Sequence, residues 1–140
     1  MAQQQPRGIR NNNPLNIRIG NAWIGEVASP DDNEFEQFVS PRWGFRAAFV
    51  ILRRYIKRYH LNTVELIVSR WAPRSENDTE AYVDQVVLTS GIRHGDIISF
   101  DDREQMVRLA VAMARVECGC PVSIKDAYQG YDLACRNSTV

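Results

Sequence analysis

Glu117 is the residue whose type and position could do chemistry that its neighbours cannot. It follows Met113 by four residues, Ala110 by seven and Met106 by eleven, so helical spacing projects it onto the same stripe as these apolar side chains. Burial on such a stripe disfavours the ionised carboxylate. The negative end of the helix dipole acts in the same direction, because Gly119 and Pro121 end the helix just after Glu117. Both effects raise its pKa, and a carboxyl that stays protonated near neutral pH can give a proton to the leaving oxygen of a glycosidic bond. The alternative is that Glu117, in the last helical turn, reaches solvent past Cys118 and titrates as an ordinary carboxylate.

An acid of this kind works with partners. Glu26, Asp31, Asp32, Glu34 and Glu36 cluster near the N-terminus, and of these Glu26 and Asp32 are the candidates for a second catalytic carboxylate. Across a cleft, such a group would activate water or steady the developing cation, and a gap of roughly 6.5–9.5 Å would indicate inversion. Without it, attack by the sugar's own hydroxyl gives an anhydro product. Asn12, Asn13, Asn16 and Tyr82 are candidates for hydrogen bonds to the polar groups of a sugar, and Trp23 or Trp71 for a flat apolar platform. For Asn12 and Asn13 the competing role is turn formation, and for Trp71 it is core packing. Glu76 and Glu80 sit where a helix starts, and capping explains Glu76 better than catalysis does.

These residues need elements to hold them. The first forty residues are rich in Asn, Gly, Pro and Asp, with short apolar pieces at 15–19 and 35–39, and read as loops with a small irregular sheet or hairpin. From Ser40 the pattern turns helical. Ser40 is placed to cap a helix with Pro41 at its first position, and Phe45, Ala48, Phe49, Leu52, Ile56 and Tyr59 recur at three-and-four spacing up to His60. The opposite face carries Arg46, Arg53, Arg54, Lys57 and Arg58 and is expected to be solvated. A second helix is expected from Asn62, with Glu65 reaching back, to about Trp71, where Pro73 stops it. A third is expected after Asn77, with Glu80 three residues on, burying Tyr82, Val83, Val86 and Val87 and ending at Gly91. After a loop from Ile92 to Phe100, Asp101 or Asp102 opens the helix that carries Glu117. Ser123 caps a short last helix with Ala127 and Leu133, and Arg136 to Val140 reads as a frayed tail.

Composition narrows the field further. The chain has 140 residues, the size of one domain with a real core. Seventeen Lys+Arg balance seventeen Asp+Glu, which argues against a nucleic-acid binder even though the basic helix from Arg46 to Arg58 would be its natural contact surface. No apolar run approaches the ~20 residues of a membrane span, and the first residues lack the apolar core of a secretory signal. Cys118, Cys120 and Cys135 form an odd set that fits free thiols, with a bridge from Cys118 or Cys120 to Cys135 as the alternative. His60 and His94 lack ligand spacing to them, so no metal and no cofactor is expected.

Two strings then carry a resemblance. Arg7-Gly8-Ile9-Arg10-Asn11-Asn12-Asn13-Pro14-Leu15-Asn16-Ile17-Arg18, followed by Trp23, Gly25, Phe35, Phe38 and Gly44-Phe45-Arg46-Ala47, is one. Arg70-Trp71-Ala72-Pro73 with Glu76-Asn77, Thr79 and Tyr82 is the other. Together they cover most of the first ninety residues, and the chain resembles short phage and prophage virion proteins similar to lysozyme-like muramidases. Leu15 departs from the glycine expected there, which alters a loop more than any chemistry. Val116-Glu117-Cys118-Gly119 is similar to the end of the acid-bearing helix of lytic transglycosylases. Compared with flagellar-type glucosaminidases, the order of segments looks circularly permuted, which is structurally cheap where termini lie close together.

The resemblance implies a mainly α (α+β) lysozyme-like single domain over 1–140, with a loop/β lobe at 1–40, a helical lobe of about five helices at 41–135, and a cleft between them. It implies cleavage of peptidoglycan glycan strands with Glu117 as the acid, and it favours Asp32 slightly over Glu26, because Asp32 stands three residues before Phe35 in the matching stretch. Expected partners are peptidoglycan and other virion proteins, with no nucleic acid. The expected location is the virion, or the host cytoplasm with delivery to the periplasm. The rival from another class is a non-catalytic virion protein of the same fold that binds peptidoglycan or virion subunits.

Overall fold

The computed structural model describes residues 5–136, and within them the chain is mainly helical. In chain order the helices are α1 (Arg7–Arg10), α2 (Pro41–Lys57), α3 (Val64–Trp71), α4 (Thr79–Ser90), α5 (Arg103–Cys118) and α6 (Ile124–Arg136). The expected tail and the first residues of the chain fall partly at 1–4 and 137–140, outside the described residues.

Between α1 and α2 the chain forms a lobe with almost no regular strand. Two isolated antiparallel bridges, Arg18 with Phe35 and Glu26 with Phe38, are all the β pairing among the described residues. Side chains supply much of the rest of the stitching. Asn13 is wholly buried and donates to the carbonyls of Ile17 and Glu36, while its own carbonyl oxygen accepts from the Ile17 N–H at 2.9 Å. An amide that satisfies three backbone groups at once substitutes for a ladder that the short segments are too irregular to make.

Local rules account for most helix ends, with shifts of a residue, but at α2 Ser40 stands at the N-cap position with no side-chain capping bond and only Pro41 keeps its expected place. Asp102 caps α5 by accepting from the Gln105 N–H, and Ser123 caps α6 by accepting from Asp126. Gly91 and Gly119 close α4 and α5 in the left-handed conformation at φ 76° and 69°. The cap of α3 is Thr63 rather than Asn62, and that of α4 is Asp78 rather than Asn77. In both places adjacent residues are chemically able to cap, and packing selects between them. The Glu65 carboxyl bonds back to the Thr63 side chain and also meets His94, and at the start of α4 the capping oxygen comes from Asp78 and not from Glu76.

One core joins Leu15, Ile17, Trp23 and Phe38 of the N-terminal segment to Phe45, Phe49 and Leu52 of α2, Val64 and Ile67 of α3, Val86 of α4, and Met106, Leu109, Ala110 and Met113 of α5. The apolar stripe of α5 is therefore where its spacing put it. The last helix is longer than expected and packs along α2, burying Gly130, Tyr131 and Ala134, whereas Leu133 is only half-buried. A β-carbon on Gly130 would lie 2.5 Å from the Phe45 Cβ and 2.8 Å from the Arg46 backbone nitrogen, so the two helices touch backbone to backbone there. That contact corrects the expectation for Arg46. It lies under α6, fully buried, and not on the solvated basic face.

No described helix is long and apolar enough to cross a membrane. All three cysteines are free, Cys118 buried and Cys135 exposed. Among the described residues no group of three His, Cys, Asp or Glu side chains could hold a metal ion.

Candidate active site

Glu117 ends up half-buried in the last turn of α5, where Asn16 of the N-terminal segment meets it. Its carboxyl is held from both sides. Asn16, from the N-terminal lobe, donates its side-chain N–H to Oε1 at 3.1 Å and lies 3.2 Å from the Glu117 backbone carbonyl. The hydroxyl of Tyr82, on α4, donates to Oε2 at 3.0 Å. Burial pushes the Glu117 pKa up, and the hydrogen bonds from Asn16 and Tyr82 pull it back in part. Burial, then the nearby Glu117 charge, raises the Tyr82 phenol, so it remains a donor.

The N-terminal loop is fitted to this end of α5. Asn16 adopts a left-handed backbone at φ 53°, which its short amide tolerates and which aims the side chain at Glu117. Cys118 points the other way and donates its thiol to the Pro14 carbonyl at 3.3 Å. Burial foremost drives the Cys118 pKa up to about 12, so it is a neutral structural donor and not a nucleophile. Gly8 allows the approach: a β-carbon there would lie 2.9 Å from each of the Asn13 carbonyl oxygen, Asn16 Oδ1 and Cys118 Sγ.

The predicted site residues divide. Asn16, Tyr82 and Glu117 come together, although Tyr82 serves the carboxyl and is itself buried. Asn13 and Trp23 are interior, which corrects their expected roles as sugar contacts; Trp23 is 4% exposed and belongs to the core. Asn12, at φ 52°, donates to the Phe38 carbonyl and shapes a turn. Trp71 is half-buried, edge-on to Tyr55 with ring centroids 6.1 Å apart.

Both candidates for the second carboxylate are engaged by other groups of the chain. Asp32 accepts both prongs of the Arg7 guanidinium at 2.6 and 2.8 Å, the Asn11 amide at 2.9 Å, and the backbone N–H groups of Glu34 and Phe35. The Arg7 hydrogen bonds first, then the Phe35 N–H and the Asn11 amide, hold its carboxyl far below the usual range, so it braces the loop as a permanent anion. Arg7 and Arg18 also lie over the Phe35 ring, at 4.6 and 4.9 Å from its centre. Glu26 meets another acid, Glu36. Burial, then the hydrogen bond and charge of Glu26, push Glu36 up to about 7. Glu36 was legible in principle, because it stands two residues before the inward-facing Phe38 and so shares its face.

Several grooves mark the surface. One of about 190 Å3 touches Asn12, Pro14, Phe45, Pro121 and Asp126. Another, of about 390 Å3, lies between α4 and α5 beside Gln85, Thr89 and Arg115. A third, of about 430 Å3, surrounds Arg7, Arg10, Asp31 and Gln37. Glu117 lines none of these three.

No family model matches the chain. Over 90 residues it is 48% identical to protein P5 of Pseudoalteromonas phage PM2, an alignment that takes in 61% of this chain and 56% of that protein. The chain thus spans little more than half the length of this curated relative, which is a bacteriophage protein.

Proposed function

We propose that this chain is a phage-derived, lysozyme-like domain that cleaves the glycan strands of bacterial peptidoglycan, with Glu117 as the general acid. The supporting observation is the Glu117 carboxyl: half-buried at a helix end between two lobes, raised in pKa by burial, and oriented by two neutral donors, Asn16 and Tyr82. Neutral donors orient a carboxyl without neutralising it, as an adjacent Arg or Lys would. The similarity to a phage protein supports the source of the domain.

In the proposed reaction Glu117 donates its proton to the glycosidic oxygen and the bond from that oxygen to the sugar carbon breaks. With Asp32 locked to Arg7, and Glu26 turned to Glu36, the favoured second step is attack by a hydroxyl of the same sugar. The new carbon–oxygen bond closes an anhydro ring, and the hydroxyl proton returns to Glu117. Substrate would enter at the lobe junction by displacing one of the two donors.

The test is release of soluble fragments from purified peptidoglycan by the wild-type protein and by Glu117→Gln, with mass spectrometry of the ends. Anhydro ends from the wild type alone are expected. Reducing ends would keep the acid but replace the second step by water attack. No fragments from a folded wild-type protein would overturn the enzyme reading.

One observation favours a second reading, a non-catalytic virion protein. Both Glu117 oxygens already accept a hydrogen bond, and the three grooves described above are lined by other residues. In that case Glu117 ties the lobes together, and the same experiment would give sacculus binding without fragments.

A further inference from the structure

Glu36 is an acid in an unexpected place. It is 6% exposed, its side chain meets that of Glu26, and each of the two carboxyls keeps one buried oxygen, Glu26 Oε1 and Glu36 Oε2, with no hydrogen-bond donor. The backbone N–H groups of Gly20 and Asn21 also face Glu36. Among the described ion pairs no Lys, Arg or His reaches either carboxyl, since Arg18 turns to Glu34 and Arg7 to Asp32 and Glu34. Two acids so placed without a cation are stable together while they share one proton. When both ionise, like charges face each other in a buried setting.

The backbone of Glu36 connects this pair to the Glu117 carboxyl. The Glu36 N–H donates to the Ile17 carbonyl at 2.9 Å, and the Glu36 carbonyl accepts from the Asn13 side chain at 3.0 Å. The Asn13 side chain fixes the turn from 13 to 17 by bonding Ile17 on both sides, and its backbone carbonyl accepts from the Asn16 backbone N–H at 3.0 Å. Asn16 then holds Glu117. The loop that presents Asn16 is thus built on the segment that carries Glu36.

We propose that Glu36, through the proton it shares with Glu26, is a positioning residue for Glu117: the paired state holds the 13–17 turn in place so that Asn16 grips the Glu117 carboxyl, and loss of the shared proton releases that grip. The release falls near neutral pH, because burial and then Glu26 place the Glu36 titration at about 7. The functional consequence rests on Glu117 being the working acid, whereas the coupling itself does not.

The test is NMR on the full chain between pH 5 and 9, reading the protection of the Asn16 side-chain N–H and the Ile17 and Glu36 amides, corrected for intrinsic exchange. In the wild type, protection is expected to fall at least tenfold across a step near pH 7. Glu36→Gln, a neutral isostere of the protonated acid, and Glu26→Gln, which removes the opposing charge, are each expected to abolish the step. If either variant fails to fold, the other carries the comparison. A wild type with no step, or a step that persists in a folded variant, overturns the proposal. Glycan cleavage is read separately: its absence in the wild type sinks the enzymatic reading and leaves the NMR result standing. If cleavage occurs, its decline on the alkaline side is expected to be shallower in both variants.

Discussion

The side-chain amide of Asn16 donates to the carboxyl of Glu117 at 3.1 Å across 101 residues of sequence. It joins the irregular N-terminal lobe to the last turn of α5 at the one carboxyl on that helix's apolar stripe. Asn16 therefore acts in two ways: its bond fastens the lobes, and it offsets part of the upward pull that burial exerts on the Glu117 pKa.

Asn16→Gly removes the donor while keeping a residue content at φ 53°. We expect the Glu117 pKa to rise, because a bond that lowers it is gone, and stability to fall by about 1–2 kcal/mol for the unpaired carboxyl oxygen and carbonyl. Asn16→Ala adds the strain of a left-handed alanine, about 1 kcal/mol more. Carboxyl carbon NMR and denaturant unfolding check both. An unchanged Glu117 titration in the glycine variant would mean that the Asn16 contact does not form in solution.

The contribution of Glu117 and Glu36 to the pH dependence of stability has a definite sign. Glu117 and Glu36 both have folded pKa values above their unfolded ones, so the native state keeps protons that the unfolded chain has lost. Stability is then greatest on the acid side of the ordinary glutamate range and declines as pH rises through the raised values, up to about 7 for Glu36. Glu117→Gln and Glu36→Gln are each expected to flatten that decline, Glu36→Gln by on the order of 2 kcal/mol. Thermal melts at pH 4.5 and 7.5 measure it, and a wild type that gains stability over this interval would contradict the assignment.

Asp32 has the opposite sign. Its folded pKa is depressed, so its contribution is fully present above the unfolded value and is lost as pH falls through the folded one. Asp32→Asn is expected to cost about 2 kcal/mol at neutral pH, from the loss of charge-assisted bonds to Arg7 and two backbone N–H groups. The gap from the wild type should narrow below about pH 4, where an unfolded aspartate gains its proton. Parallel urea titrations at pH 7 and pH 3 decide it.

What the sequence made legible was local. The stripe on α5, the placement of Glu117 beside it, the caps at Asp102 and Ser123 and the stops at Gly91 and Gly119 all follow from spacing and residue type within a few positions. Adjacent capping candidates, Asn62 with Thr63 and Asn77 with Asp78, differ too little in local preference for the sequence to choose between them. The long-range facts were hidden. Asn12, Asn13 and Asn16 look alike on the page, yet one shapes a turn, one fills the interior and one reaches Glu117, because only the folded loop decides which amide faces α5. Residue type alone makes Trp23 as good a platform as Trp71, but the loop folds over it and adds it to the core.

Arg46 was hidden for a related reason, and the helix that covers it supplies the last prediction. Periodicity within α2 assigns Arg46 to the face opposite Phe45 and Phe49, yet Arg46 is buried where α6 docks against α2. That docking depends on Gly130, where a methyl group would stand 2.5 Å from the Phe45 Cβ, 2.8 Å from the Arg46 nitrogen and 2.9 Å from the Arg42 carbonyl oxygen. Two of these three atoms are backbone, so no side-chain rotation relieves the clash. Gly130→Ala is expected to destabilise the fold by about 3 kcal/mol, well beyond the small gain an alanine brings to a helix interior. Gln129→Ala, a half-buried neighbour one residue away, should change stability by no more than about 0.5 kcal/mol. Denaturant unfolding of the two variants separates a packing contact from a general effect on α6. If Gly130→Ala proves neutral or stabilising, the close approach of α6 to α2, and with it the burial of Arg46, is not the state in solution.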